Sequence, residues 1–215
     1  MDVMEKFKEK IKNGELLCGT LVFCGNPMLT ECMAQIGFDM LWICTEHTAI
    51  GLENLQNNLI AAKAGGTPAM VRVPWNDKVL VKPVLDMGPD AILFPNVKTP
   101  EEAEAAVKAC EYPPYGERGF GPIRAINYNS ISQADYVNKL YRKTLRFIQI
   151  EDIKAVNRLE EIVAVKGIDG YIVGPNDLSA SVGHLDNPNH PDMIPIYDRI
   201  GEVMKKHNKF FGTSI

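Results

Sequence analysis

The sequence is short of several things, and each shortage excludes a class of protein. No apolar run approaches the roughly 18 residues of a membrane span, so none is expected. Charge of neither sign dominates: 23 Lys and Arg stand against 27 Asp and Glu, mixed along the chain, for a net charge of −4. A nucleic-acid binder would show a basic face or tail, and there is none. The first stretch, MDVMEKFKEKIKNGE, alternates charge and hydrophobe at helical spacing and lacks the uninterrupted apolar core of a signal peptide. GxGxxG and the P-loop are missing, which removes the common nucleotide-binding fingerprints. CxxC spacing is missing too. The five cysteines, Cys18, Cys24, Cys32, Cys44 and Cys110, are odd in number and mostly sit inside apolar segments. They read as reduced, buried thiols of a cytoplasmic protein, and their spacing argues against a zinc site.

What remains is an ordinary globular composition, 46% apolar and 23% charged over 215 residues, enough for one good-sized core. Strand and helix signals alternate. Strand-like segments fall at 16–23, 39–44, 68–73, 90–95, 145–151, 169–175 and 209–215. Helical segments lie between them: 27–37 behind Asn26 and Pro27, 53–66 ending in two glycines, one from Asn76 toward Gly88, one capped by Thr99 and Pro100 through Cys110, 153–165, 177–183 and 191–208. Residues 112–129 form a long irregular stretch. One pattern occurs three times, as GFDMLWI, GPDAILF and GIDGYIV. Each places a helix-ending glycine two residues ahead of an Asp, which leads into an apolar strand. Strands apolar along their whole length are covered on both faces, which means a parallel sheet with helices outside it.

Polar residues cluster at the C-terminal ends of these strands, which favours a (β/α) barrel over an open doubly wound sheet. A barrel opens all those ends on one face, so residues far apart in sequence can converge there. A complete barrel has eight strands and typically about 250 residues, whereas seven strands are counted here. The chain is therefore expected to be a single barrel domain over 1–215 that lacks its last strand and helix.

The strand ends carry a short set of chemical groups. Strand two ends in Glu46 and His47. Strand three carries Arg72 after Met70 and Val71, and a charge in such a strand must be paired or reach an opening. It could hold a carboxylate or stabilise an enolate oxygen, or it could be a structural ion pair with Glu46 or Glu151. Strand five ends in Gln149 and Glu151, and strand six runs into GPND with Asp177. Two carboxylates at adjacent strand ends suit a hard cation such as Mg²⁺ or Mn²⁺. The competing reading makes both of them helix caps. Among the four histidines His47 stands out by its company, with Asp86 available to orient it. His184, His190 and His207 read as surface or capping residues.

These residues resemble the HpcH/HpaI family of class II, metal-dependent pyruvate aldolases. The resemblance runs from about residue 14 to the end. It rests on EH at 46–47, VRVPWND at 71–77, LDMG at 85–88, YPPYGERGFG at 112–121, QIE at 149–151 and GPNDLS at 174–179. It implies a (β/α)8 barrel of the phosphoenolpyruvate/pyruvate superfamily, usually a hexamer. The implied reaction is reversible cleavage of a 4-hydroxy-2-oxoacid into pyruvate and an aldehyde. By the family pattern Glu151 and Asp177 would bind the divalent ion (Mg²⁺, Mn²⁺ or Co²⁺), and Arg72 would contact the keto oxygen. His47 with Asp86 would be the base, Gln149 would bond near pyruvate, and the turn Gly174, Pro175, Asn176 would receive its carboxylate. The GERGFG loop would line the entrance. No Schiff-base lysine is required.

Two departures stand against that pattern. Many members carry an acid where this chain has Cys44, which leaves open a filler role, a changed specificity or weakened catalysis. Members also usually continue beyond this length. Two alternatives therefore remain: an acyl-CoA lyase of the citramalyl or malyl type, and a non-catalytic oxoacid-binding barrel.

Overall fold

The computed structural model describes residues 3–214. They form an α/β fold whose strands follow chain order, β1-β2-β3-β4-β5-β6-β7, in one seven-stranded sheet. The chain divides into two compact units. The first holds the chain up to Pro74 with Val79–Ile92 and Gly119–Thr144; the second holds Trp75–Lys78, Leu93–Arg118 and the chain from Leu145 on.

In the first unit α1 (Val3–Lys12), β1 (Gly19–Val22), α2 (Pro27–Gln35), β2 (Met40–Cys44), α3 (Leu52–Gly65), β3 (Ala69–Arg72) and α4 (Lys78–Asp86) alternate. β1 pairs parallel with β2, and β2 with β3, in a register that sets Cys44 beside Arg72. β4 (Ala91–Phe94) is followed by α5 (Pro100–Cys110) and, after the irregular stretch, by the short α6 (Gln133–Asp135). The second unit continues with β5 (Leu145–Ile150), α7 (Ile153–Asn157), α8 (Leu159–Ala164), β6 (Gly170–Val173), α9 (Pro175–Ser181), α10 (Ile194–Lys206) and β7 (Phe210–Thr213). β5, β6 and β7 pair parallel, with Ile150 beside Val173. Every residue of β3, β4, β5 and β6 is buried, as strands covered on both faces must be.

Local chemistry explains the boundaries. Asn26 caps α2 by accepting from the N–H groups of Met28 and Leu29, with Pro27 opening the helix. Thr99 and Glu102 form a reciprocal capping box at α5. Gly66 ends α3 with a φ of 79°, a conformation that costs glycine little.

The repeated Gly-x-Asp turn has one construction in all three places. Gly37, Gly88 and Gly167 take positive φ. Two residues on, each Asp reaches the preceding strand twice. Its N–H donates to the carbonyl of Cys18, Ala69 or Arg146, respectively, and its carboxylate accepts that same residue's N–H. A strand start that would otherwise leave a donor and an acceptor open is thus closed by one residue. The apolar run after the Asp then enters the sheet in fixed register.

Several expectations need correction. The first strand is four residues rather than eight, because Leu16 is 97% exposed and lies outside the sheet. α4 starts at Lys78 rather than Asn76, whose side chain donates instead to the carbonyl of Glu102. The helix expected over 153–165 breaks at Arg158, which leaves helical geometry at φ −109°, ψ 17°. Residues 133–143 form short helical turns that no strong periodicity announces. Among the cysteines only Cys44 and Cys110 are buried; Cys24 is half-buried, and Cys18 and Cys32 are exposed. Cys18 precedes β1, and Cys32 lies on α2, whose buried residues are Thr30 and Ala34.

Candidate active site

In the first unit the chemical residues gather where β2 and β3 end. Arg72 is the last residue of β3 and is 7% exposed. Its Nε lies 3.1 Å from Oε2 of Glu46, its Nη2 donates to Sγ of Cys44 at 3.0 Å, and its Cζ sits 5.1 Å from the ring centroid of Trp42. The guanidinium is thereby fixed by an ion pair, a sulfur acceptor and an aromatic face. The ion-pair alternative for Arg72 with Glu46 is thus realised in the structure.

His47 is exposed, with its Nε2 3.5 Å from Glu46 Oε2. Its backbone N–H donates to Cys44 Sγ at 3.4 Å. The turn that presents it is tied down by Thr45, whose N–H and hydroxyl both donate to the carbonyl of Arg72, and by Thr48, whose hydroxyl donates to the carbonyl of Cys44. Asp86 closes α4 in the same unit, half-buried. The end of the GERGFG loop comes close to it: a Cβ built on Gly121 would lie 3.8 Å from Asp86 Oδ2.

In the second unit Glu151 follows β5 and is 4% exposed. Its Oε1 accepts from the Asn96 N–H at 2.6 Å and its Oε2 from Gln149 Nε2 at 2.5 Å. Those charge-assisted bonds orient the carboxylate. Gly174 follows β6 on the neighbouring strand end, where a side chain would collide: a Cβ there would lie 2.7 Å from both Gln149 Nε2 and Glu151 Oε2. The absent side chain lets Gln149 and Glu151 pack directly against the Gly174 backbone.

Pro175 opens α9 and has no N–H; Asn176 and Asp177 follow in its first turn, both exposed. Neither acid is the cap it could have been. Asp152 caps α7 by accepting from Lys154, and Gly174 is the N-cap of α9. As a pair of donors Glu151 and Asp177 would offer only hard oxygen, which would suit Mg²⁺, Mn²⁺ or Co²⁺ rather than a soft ion.

Two supporting residues escaped the sequence reading. Asn96 takes φ 57°, and the only advance signal was an Asn just past a strand end. Trp42, inside an apolar run, gave no hint that it would lie against Arg72. The other histidines behave as expected. His190 caps the turn at 191–193 by accepting from Asp192 N–H, His184 Nε2 lies 3.0 Å from Asp192 Oδ2, and His207 pairs with Glu160. His184, His190 and Asp192 bring ligand atoms within 4.8 Å of one another, yet these hydrogen bonds already account for the grouping. Among the described residues no helix is long and apolar enough to cross a membrane.

Comparison with known proteins gives a consistent answer. The family profile described as HpcH/HpaI aldolase/citrate lyase matches residues 19–213. A hydroxypyruvate/pyruvate aldolase of Pseudomonas aeruginosa is 35% identical over 192 residues, covering 88% of this chain and 71% of the relative. A 5-keto-4-deoxy-D-glucarate aldolase of Escherichia coli O139:H28 is also 35% identical, over 95% of this chain and 79% of the relative. The crystal structure of an HpcH/HpaI aldolase/citrate lyase family protein from Burkholderia cenocepacia J2315 superposes with a TM-score of 0.90 at 30% identity, covering 97% of this chain and 83% of that one.

Proposed function

The chain belongs to the HpcH/HpaI aldolase/citrate lyase family and is a carbon–carbon lyase, and from that premise we propose that it is a metal-dependent aldolase. In this reading it reversibly cleaves a 4-hydroxy-2-oxoacid into pyruvate and an aldehyde. The observation that carries the reading is the Glu151 carboxylate. It is buried, held by Asn96 and Gln149, and packed so closely against Gly174 that no side chain at 174 could share the place. A buried carboxylate so oriented is built to meet a cation.

Glu151 and Asp177 would hold the ion. A divalent cation bound there would supply Lewis-acid stabilisation of the negative charge that develops on the pyruvate half. Arg72 meets the keto oxygen, and its fixed guanidinium is preorganised for that charge, so it needs no rearrangement as the charge forms. His47, with Asp86 as its orienting partner, takes the hydroxyl proton as general base. Gln149 holds Glu151 in place beside pyruvate. Asn176 and Asp177 offer backbone N–H groups to the substrate carboxylate next to Gly174 and Pro175; Pro175 itself has no donor to give.

The (β/α)8 barrel of the phosphoenolpyruvate/pyruvate superfamily is the architecture that goes with this reading. A homo-oligomer, hexameric as in the family, goes with it too. Phe23, Met28, Leu29, Ile36 and Leu52, all on the first unit, are exposed apolar residues of the kind that subunit contacts cover.

The test is hydrogen exchange at pyruvate. The purified protein is incubated with pyruvate in D₂O, with Mg²⁺ or Mn²⁺ and again with chelator, and the methyl signal is followed by NMR. Metal-dependent loss of the methyl proton signal is expected. A folded, metal-supplied sample that exchanges nothing sinks the reading.

A further inference from the structure

The loop GHLDNPNHPD, between α9 and α10 in the second unit, gathers side chains that the aldolase reading does not use. It is fastened from both helices. The His184 N–H donates to the carbonyl of Ser179 in α9 at 2.9 Å, and the Tyr197 hydroxyl of α10 donates to the carbonyl of Pro188 at 2.8 Å. Met193, next to Asp192, is fully buried. The loop so held brings His184, His190 and Asp192 together.

Oδ2 of Asp192 is common to both rings. It lies 3.0 Å from His184 Nε2 and 3.5 Å from His190 Nδ1, and the three ligand atoms are all within 4.8 Å of one another. Around a tetrahedral Zn²⁺, bonds of about 2.0–2.1 Å to nitrogen and oxygen set neighbouring donors roughly 3.3 Å apart. Two of the three separations here are already close to that spacing. The hydrogen bonds that gather the groups thus leave their donor atoms where an ion needs them. His190 Nδ1 accepts from the Asp192 N–H, so this nitrogen carries a lone pair rather than a proton. That nitrogen and the carboxylate oxygen are two Lewis bases side by side.

The two rings are stacked, with 3.6 Å between centroids and 14° between planes. Imidazole binds a metal in the plane of its ring, so rings this close to parallel cannot both face one ion. One ring has to turn out of the stack. Both side chains keep part of their surface in solvent, at 24% for His184 and 32% for His190, so neither is locked into the core.

We propose that His184, His190 and Asp192 bind one divalent cation of the zinc type, which clamps the loop between α9 and α10. Two imidazoles and one carboxylate suit Zn²⁺ or Ni²⁺ and offer little to Mg²⁺, which keeps to oxygen. The donor set differs in that respect from the oxygen pair Glu151 and Asp177. The proposal does not rest on the aldolase reading.

The probe is Zn²⁺, added to the full chain in excess Mg²⁺ so that oxygen sites are taken by the harder ion. Binding is followed by calorimetry and by the ring ¹⁵N signals of the four histidines. At one equivalent the signals of His184 and His190 should move while those of His47 and His207 stay. His184→Ala and Asp192→Ala should each weaken Zn²⁺ binding more than about tenfold, since disturbing even an outer partner of a ligand costs that much. His190→Asn should do the same without undoing the loop, because asparagine is a good cap and can accept the Asp192 N–H. Asp177→Ala should bind Zn²⁺ like the wild type. Circular dichroism checks the fold of each variant. Zn²⁺ at about a hundred times its Kd should also raise Tm by about 5 °C or more, and this rise should be absent in His190→Asn.

Unmoved His184 and His190 signals, or wild-type affinity in His190→Asn, overturns the proposal and sends any bound ion elsewhere, the exposed thiols of Cys18 and Cys32 included. Loss of binding in Asp177→Ala assigns the ion to the oxygen pair and overturns it as well.

Discussion

The backbone N–H of Asn96 donates to Oε1 of Glu151 at 2.6 Å from a residue held at φ 57°. A left-handed residue just past β4 thus aims a main-chain donor at the carboxylate just past β5. Left-handed geometry costs an ordinary L-residue roughly 1–2 kcal/mol, and Asn tolerates it better than most. Backbone strain next to a buried carboxylate is where a functional role is worth testing.

Asn96→Ala should therefore destabilise the protein by about 1 kcal/mol more than Asn96→Gly, since glycine takes this conformation freely. Both substitutions keep the N–H donor, so Mn²⁺ affinity should stay near wild type in each. Urea unfolding and calorimetric titration with Mn²⁺ check the two halves of this statement.

Gly174→Ala should act on the carboxylate rather than on the fold. Its Cβ would fall 2.7 Å from both Gln149 Nε2 and Glu151 Oε2, so those side chains must shift. Mn²⁺ affinity should drop by about tenfold or more, in the range seen when an orienting partner of a ligand is disturbed. Circular dichroism should stay unchanged. Wild-type affinity in this variant would mean that Glu151 is not a ligand.

Asp169 carries a stability prediction with no catalytic part. Its carboxylate accepts the Arg146 N–H at 2.8 Å at the start of β5. Asp169→Ala leaves that donor without its side-chain acceptor and should cost about 1–3 kcal/mol by urea denaturation. Asp169→Asn keeps an acceptor and should cost less.

Cys110 gives the protein a signature in alkali. Burial pushes its thiol up to about 12, against the weaker opposing pull of Arg146 and Arg118. Above pH 9 the unfolded thiol ionises while the folded one keeps its proton. The folded state then binds more protons than the unfolded state, so stability must fall as pH rises from about 9 toward 12, by at most about 1.4 kcal/mol per pH unit. Cys110→Ala should remove this component. The check is the difference in urea midpoint between pH 8 and pH 10.5, which should be smaller in the variant. The same burial should keep Cys110 unalkylated in native protein while exposed Cys18 and Cys32 react.

Much of this was legible in the residues. The three Gly-x-Asp turns, the Asn26 and Thr99 caps and the apolar strands are local signals, and local geometry realises them. The boundaries that went astray, at Leu16, Asn76 and Arg158, lie where tertiary contacts compete with propensity. Leu16 has the residue type of a strand but no neighbouring strand to pair with, and Asn76 found a carbonyl to bond outside its helix.

The sequence by itself determined which chemical groups the protein has and which strand ends carry them. Alternating periodicity and capping chemistry act over a few residues and leave a readable trace. The tertiary structure alone decided what each group faces. That Cys44 would accept from Arg72, that Asn96 would turn left-handed toward Glu151, and that Gly174 would let that carboxylate pack against its backbone are consequences of register between strands distant in sequence. Contacts of that kind are fixed by packing and hydrogen-bond satisfaction across the sheet, and no short window of residues encodes them.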